Sequence, residues 1–196
     1  MKRSLVIIAV IVLLVVVLFA SVQRTYNNMI QKEEQVSAAW AQVENVYQRR
    51  LDLIPNLVNT VKGYANFEQQ TLTQVIEARA KATSVTIDPT NLNPESLQQF
   101  NEAQTGLGNA LSRLLVTIER YPDLKANQSF LELQAQLEGT ENRIAVERRS
   151  FNEVAREYNT YIKQFPRNIY ASIFNFESKA YFEAVEQAEQ APKVEF

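Results

Sequence analysis

The chain has 196 residues, with 20 basic and 22 acidic side chains, a formal net charge of −2, and neither Cys nor His. These two absences exclude disulfides, serine or cysteine catalytic triads, and metal sites built on thiolate or imidazole. The near-neutral charge excludes the basic field with which proteins bind nucleic acid. The low Gly and Pro content favours long helices. We therefore expect an all-α protein that binds no metal, cofactor, nucleic acid or small-molecule substrate.

The N-terminus carries an apolar run from Leu5 to Val22 that contains no charge and no amide side chain. A helix of that length rises about 27 Å, which is close to the thickness of the hydrocarbon layer of a bilayer. A cleaved signal peptide has a shorter run and a small-x-small site, whereas Leu18 stands where a small residue is required before Ala20. The sequence predicts an uncleaved, single-pass anchor over residues 1–22.

The charges that flank the apolar run bear on orientation. Lys2 and Arg3 precede it, and Arg24 and Lys32 follow it. By the positive-inside rule the short N-terminus stays in the cytoplasm and the rest of the chain crosses the membrane. The N-terminal side carries only about one positive charge more than the other side, so a cytoplasmic location of the rest of the chain is the alternative.

The first soluble helix shows apolar residues at alternating spacings of four and three from Val22 onward. This period near 3.5 is typical of helices that pack at a shallow angle. Glu33 and Arg50 interrupt the pattern, either as partly solvated positions or as polar pairs that fix the register with an adjacent helix. Pro55 predicts a bend rather than an end, and we expect one bent rod that reaches about Thr83.

A second helix is predicted after a break over residues 84–94, with Asn93 as its cap and Pro94 in its first turn. The row of apolar residues along this helix, which we call its seam, is interrupted by Gln104. The helix ends at the turn formed by residues 121–123, Tyr-Pro-Asp. The interior glycines of this helix form no phosphate-binding motif.

A third helix begins near Asn127 or Ser129, where Ser129 and Glu132 fit a capping box. It stops at Pro166, and its seam is interrupted by Glu141 and by Arg148.

The C-terminal region divides into two parts. The aromatic residues up to position 182 are dense enough to predict a docked short helical segment, whereas residues 184–196 have the composition of a disordered tail. We therefore predict an anchor over residues 1–22, an elongated antiparallel bundle of three long helices with a short C-terminal segment over 23–183, and a tail over 184–196.

Three separate motifs resemble signatures of the bacterial LemA family. They are RLDLIPNLV at 50–58 followed by VKGY at 61–64, ERYPDLKA at 119–126, and the pairs Tyr158-Asn159 and Phe165-Pro166 with the closing aromatic stretch. The sequence departs from the family pattern mildly, with Phe151-Asn152 in place of the frequent Tyr-Asn and Asn175 in place of the usual Gly. The resemblance covers about residues 26–182. It implies an anchored, elongated helical bundle without assigned catalytic residues.

The stretch around Pro55 supports two interpretations. In the structural one, Arg50 and Asp52 pair with buried polar groups while Pro55 sets a bend. In the functional one, Arg49, Arg50 and Asn56 form an exposed partner-binding surface.

Catalysis would have to rest on carboxylate pairs such as Glu141 with Glu147 or Glu68 with Glu77, and helices of this composition carry such pairs by chance. A substrate pocket is not expected from seams of Leu, Val and Phe, so the sequence predicts a non-enzyme. The favoured hypothesis is a membrane-anchored scaffold or adaptor that binds membrane or envelope proteins. The alternatives are a self-assembling, homo-oligomeric protein that organises a membrane patch, and an accessory module in transmembrane signalling.

Overall fold

The computed structural model describes residues 2–63, 68–89 and 92–183, and this part of the chain is helical and contains no strand. The all-α fold class predicted from composition is confirmed. The elements in chain order are α1 Lys2–Lys62, α2 Gln69–Ser84, α3 Pro94–Ile118, α4 Pro122–Lys125, α5 Gln128–Lys163 and α6 Arg167–Ile173.

The first helix is shorter than predicted. α1 passes through Pro55 without interruption but ends at Lys62, next to Gly63 in a turn. The predicted rod to Thr83 is therefore wrong, because α2 is a separate helix that runs back along α1. The apolar spacing of α1 continues past this break because α2 has a buried apolar face of its own. Such a spacing does not show whether two consecutive helices form one continuous helix.

The long helices alternate in direction, as in an up-down-up-down bundle. Lys32 of α1 pairs with Glu157 of α5, and Arg50 of α1 pairs with Glu141 of α5, so these two helices are antiparallel. Arg120, just after α3, pairs with Glu68, just before α2, so that pair is antiparallel as well. Over the residues that the structure describes, the bundle thus contains four long helices, α1, α2, α3 and α5, instead of the predicted three.

Two hydrophobic clusters lie one above the other along α1. The distal core, farther from the apolar N-terminal run, joins α1, α2, α3, α4 and α5 through side chains that are aliphatic except for Phe130. The proximal core lies nearer that run and is rich in aromatic rings, including Trp40, Tyr47, Phe100, Phe151 and Tyr158.

Asparagine side chains cap two of the helices. The Asn93 side chain accepts a hydrogen bond from the Ser96 amide at 2.8 Å, and the Asn127 side chain accepts one from the Phe130 amide at 3.1 Å. The predicted cap at Asn93 is confirmed. The capping box at Ser129 is wrong, because α5 starts one residue after Asn127 and Ser129 already lies inside the helix.

The chain turns back toward the distal end after α6. Asn175, with φ of 59°, adopts the left-handed conformation that asparagine tolerates better than most residues, so it serves the turn where the family usually has Gly. Residues 176–183, which we call the strap, then run without helical structure along α1 and α5. The docked helical segment that was predicted up to residue 182 is confirmed only for α6, because residues 176–183 are docked without helical structure. The predicted tail lies outside the described residues.

Candidate functional site

The polar interruptions of three helices meet at one point between the two cores. Arg50 of α1 donates from Nη1 to the Glu141 carboxylate of α5 at 2.8 Å. Its Nη2 donates to the Gln104 backbone carbonyl of α3 at 3.2 Å and also to the Gln104 side-chain oxygen. Each residue is a polar member of a mainly apolar seam, so the cluster joins three helices at a single height.

Burial determines what this cluster can do. The Arg50 side chain is only 4% exposed, whereas that of Glu141 is 48% exposed. The guanidinium also lies 5.0 Å from the ring centre of Tyr47, and Nε has no hydrogen-bond partner among the described residues. A buried arginine that must meet two partners penalises other helix registers. The cluster therefore fits a register-fixing role, one of the two interpretations of the seam interruptions.

The structure separates the three predicted partner-binding residues. Arg49 and Asn56 are exposed, but Arg50 is buried, so the exposure predicted for Arg50 is wrong. The Arg50 guanidinium points into the bundle, because Gln104 of α3 and Glu141 of α5 lie across from it and accept its hydrogen bonds. Asp52 is exposed and accepts a hydrogen bond from Gln48 on its own helix at 2.8 Å. Partner binding by Arg49 and Asn56 stays a prediction.

Pro55 creates an acceptor that another helix uses. Because proline has no N–H, the Leu51 carbonyl one turn earlier lacks its usual intrahelical donor. The Nε of Arg79 in α2 donates to that carbonyl at 3.0 Å. The motif around Pro55 thus ties α2 to α1. Arg79 was not singled out from the sequence, because no local pattern relates it to a proline 24 residues earlier.

A second buried cation holds the strap. Lys179 is 6% exposed, and its ammonium group pairs with Glu33 of α1 at 2.7 Å. Glu33 is the other polar interruption of the first seam, and its pairing with a separate segment also agrees with the register-fixing interpretation.

Two asparagines of α5 hydrogen-bond the strap backbone. Asn159 accepts from the Lys179 amide and donates to the Lys179 carbonyl, both at 2.8 Å. Asn152 does the same with Phe182, again with two bonds of 2.8 Å. Asn152 and Asn159 are seven residues apart and thus share one face of α5. Each follows an aromatic residue, and this repeated pair is the sequence signal that could have revealed the strap.

Two buried tyrosines have perturbed acidity. Burial is the largest cause that raises the pKa of Tyr158, with nearby Glu33 and Glu177 adding to the effect. Burial likewise raises the pKa of Tyr47, against the lowering effect of Arg148 and Arg50. Both phenols stay neutral over the physiological range, so neither is poised for proton transfer near pH 7.

The described residues offer little chemistry beyond hydrogen bonding. No group of three or more carboxylates among them is arranged to hold a metal ion. Glu141 is paired with Arg50 and Glu68 with Arg120, so both considered acid–base pairs have one member bound to a cation. An open groove of about 690 Å³ lies between α3 and the strap, with Leu97, Asn101 and Tyr181 in its lining.

The N-terminal part of α1 is a continuous exposed apolar surface. Large side chains from Leu5 to Phe19 are all at least half exposed, and none of this stretch is buried by other described residues. Within the described residues, α1 is the one helix long and apolar enough to cross a membrane.

The comparisons with known proteins agree with this architecture. The LemA family model matches residues 39–196. The chain is 26% identical to Protein LemA of Metamycoplasma hominis, over 82% of this chain and 69% of that protein. It is 28% identical to Magnetosome protein MamQ 2 of Paramagnetospirillum magneticum, over 88% of this chain and 70% of that protein. It is 27% identical to Magnetosome protein MamQ of Magnetospirillum gryphiswaldense, over 89% and 71%.

None of these three names denotes an enzyme. The matched region begins inside α1 and includes the Arg50 cluster, the Pro55 motif, the strap and the two asparagines of α5 that hold it. The apolar helix and the family match together support a membrane-associated helical protein. The chain belongs to the LemA family.

Proposed function

We propose that the protein is a single-pass, membrane-anchored helical scaffold or adaptor that binds other membrane or envelope proteins and catalyses no reaction. The observation that carries the proposal is the continuity of α1. One helix includes the exposed apolar run at its start and buried core residues such as Trp40 and Leu57 farther along. A helix cannot flex freely like a loop, so the anchor sets the position of the whole bundle.

The domain boundaries are part of this proposal. The anchor occupies residues 1–22, the bundle residues 23–183 and the tail residues 184–196. α1 crosses the first boundary without interruption, so anchor and bundle share one element rather than a linker.

The flanking charges favour a bacterial inner membrane with the N-terminus inside and the bundle outside the cytoplasm. The chain has no Cys, so Glu95→Cys, at an exposed position in the first turn of α3, supplies the single thiol. A membrane-impermeant maleimide is applied to intact cells, or to spheroplasts where an outer membrane exists. Labelling before lysis supports the proposed orientation, and labelling only after lysis assigns the bundle to the cytoplasm. The matched control, Leu107→Cys at a buried position of α3, must label only after denaturation.

The proposed partner-binding surface is the exposed side of α1 around Arg49 and Asn56. These residues are seven apart and therefore share one helix face. A photo-crosslinking amino acid at either position tests this surface in cells, with the exposed Arg113 of α3 as the matched control position. A reproducible adduct with another membrane or envelope protein at 49 and 56, but not at 113, supports the adaptor. Equal adducts at all three positions, or none at 49 and 56, would contradict it.

The same experiment separates the adaptor from the self-assembling alternative. A crosslink between two copies of this chain at position 49 or 56 favours the membrane-organising protein. That alternative also predicts a particle size in mild detergent that increases with protein concentration, whereas the adaptor keeps a constant size without its partner.

A further inference from the structure

The register between α1 and α5 places the end of α5 close to the anchor. Lys32 pairs with Glu157 and Arg50 with Glu141, so the two antiparallel helices keep their alignment over this stretch. Continued at 1.5 Å per residue, that alignment puts Phe165 level with about residue 25 of α1. The apolar run ends at Val22, so Phe165 lies only about 5 Å beyond it along the axis.

Phe165 lies just before the start of α6, and the residues that follow the end of α6 lie at the same height along α1. The ring of Tyr26 in α1 contacts the rings of Phe174 and Phe176, with centroids 5.0 and 5.7 Å apart. Both flanks of α6 are thus level with residues 25–26 of α1. A helix of seven residues whose two ends share one height runs across the bundle. α6 is the floor of the molecule on the side of the anchor.

This floor carries an exposed apolar stripe. Ile169 and Ile173 are 48% and 64% exposed and lie four residues apart in α6, so they share one side of the helix. Phe165, which directly precedes the Pro166 cap of α6, is 81% exposed and adds a third large apolar side chain at this level. The opposite side is used for packing, since Ala171 is buried in the proximal core and Tyr170 packs against it. The bundle therefore leaves three large apolar side chains uncovered at the end where the membrane lies.

The charge near the floor is mainly basic. Residues 163–176 contain Lys163 and Arg167, the next carboxylate along the chain is Glu177 of the strap, and Arg24 is exposed on α1 at a similar height. Basic side chains next to an apolar stripe are the combination found in helices that lie in the headgroup region of a bilayer. Tyr26 and Phe174 supply the aromatic rings typical of that depth.

We propose that α6 and Phe165 form a second membrane contact, which rests on the phospholipid bilayer that α1 spans. The stripe of Phe165, Ile169 and Ile173 enters the boundary between headgroups and acyl chains, and the neighbouring cations face the phosphates. This inference depends on the proposed anchor but not on which side of the membrane the bundle occupies. Its consequence is a bundle held at two points, which restricts tilting about the anchor.

Depth measurements with nitroxide labels test this contact in the full-length protein. The protein is reconstituted in vesicles of phosphatidylcholine and phosphatidylglycerol, with single labels at Ser172→Cys, Val146→Cys or Val12→Cys. Ser172 is exposed beside the stripe, and Val146 is an exposed apolar residue of α5, about 30 Å higher by the same register. The readout is the ratio of nitroxide collisions with oxygen to those with a water-soluble nickel chelate.

The contact predicts a collision ratio at 172 several-fold above that at 146 and below that at 12. A ratio at 172 equal to that at 146, with 12 inside lipid, overturns the second contact and leaves the anchor intact. Water-like ratios at all three positions overturn the anchor and the contact together.

A variant with Phe165, Ile169 and Ile173 all changed to Ser tests whether the stripe causes the contact. These side chains are exposed, so the core should keep its thermal unfolding temperature. The contact predicts that the ratio at 172 falls to the value at 146. An unchanged ratio in the triple variant would show that the stripe does not hold α6 at the bilayer.

Discussion

The distal and proximal halves of the bundle bury their apolar surface in different ways. The distal core is enclosed by helices and filled almost entirely by aliphatic side chains. The proximal core lies between α1 and α5, the start of α3 and the strap, and it is filled by aromatic rings. A helix satisfies its own backbone, whereas an extended strap must find partners for each buried amide and carbonyl.

This difference shows in which half of the bundle the identity of individual side chains matters most. The distal half requires volume and register, which many aliphatic residues supply. The proximal half requires particular polar groups at particular positions, namely Asn152, Asn159 and the Glu33–Lys179 pair. Single polar substitutions should therefore weaken the proximal half selectively, and cavity-forming substitutions should weaken either half.

The largest effect is expected at Trp40, which is fully buried and stacks with Phe182 of the strap at a centroid distance of 6.0 Å. Trp40→Ala should lower the free energy of unfolding by about 3–5 kcal/mol and release the strap to proteolysis. Leu57→Ala in the distal core should also destabilise, by about 2–5 kcal/mol, with the strap still protected. Equal strap cleavage in the two variants under native conditions would contradict the division into halves.

The next largest effect is expected at the junction of the halves. Glu141→Ala leaves the buried Arg50 cation without its carboxylate and should cost about 3 kcal/mol, the low end for a buried pair because Glu141 is half exposed. Glu141→Gln should cost less, because its amide oxygen still accepts a hydrogen bond. The control is Glu153→Ala, which removes an exposed pair with Arg156 and should change stability by less than about 1 kcal/mol. Urea unfolding measures all three, and equal losses in the two Ala variants would show that Arg50 is not held by Glu141.

Removal of a strap asparagine is expected to have an intermediate effect. Asn159→Ala removes both bonds to Lys179 and the bond to the Tyr181 hydroxyl, and should cost about 2 kcal/mol. The loss is limited because the strap can detach and hydrate. Cleavage by a protease within residues 176–183 should accelerate in parallel. The helix-cap variant Asn127→Ala should cost about 1 kcal/mol without faster strap cleavage, and faster cleavage there would count against a local role for Asn159.

A smaller coupling is expected between Pro55 and Arg79. In the Pro55→Ala variant the new N–H can bond the Leu51 carbonyl, so the donor on Arg79 becomes less important. Arg79→Met should therefore destabilise the unsubstituted protein more than it destabilises the Pro55→Ala variant, by about 1 kcal/mol in a double-mutant cycle. Additive effects of the two substitutions would contradict the assignment of Leu51 as a shared acceptor.

The smallest effect at neutral pH is expected for Tyr158→Phe. The hydroxyl is buried without a hydrogen-bond partner among the described residues, so its removal should leave stability within about 0.5 kcal/mol or raise it slightly. Burial raises the pKa of Tyr158 above 10.0, its value when unperturbed, so the folded state keeps this proton where the unfolded chain loses it. Stability is then fully present below pH 10 and falls as the pH rises above it. Tyr158→Phe should lose less stability above pH 10, and an identical alkaline profile would contradict the burial of a neutral phenol.

Local signals in the sequence predicted much of the fold. The caps at Asn93 and Asn127, the apolar run and the interruptions at Glu33 and Arg50 could all be read from near neighbours. The end of α1 at Lys62 was missed because the apolar period persists into α2. The strap was missed because an extended segment outside a sheet has no period of its own.

The polar contacts were predictable only in part. The seams showed that Arg50, Gln104 and Glu141 each interrupt an apolar face, yet spacing along one helix does not say which residue of another helix stands opposite. The same limit applies to Arg79, whose acceptor exists only because Pro55 lacks an N–H. Long-range pairing of this kind requires the three-dimensional register of the bundle.

The height of Asn56 above the bilayer tests most directly whether α1 carries the bundle off the membrane. A donor dye on Asn56→Cys in vesicle-reconstituted protein is measured against acceptor-labelled lipid, with Ser172→Cys as the low reference position. An upright α1 puts residue 56 about 50 Å beyond Val22, so energy transfer should be weak at 56 and strong at 172. Equally strong transfer at both positions would mean that the bundle lies along the membrane, which would contradict a scaffold held away from it.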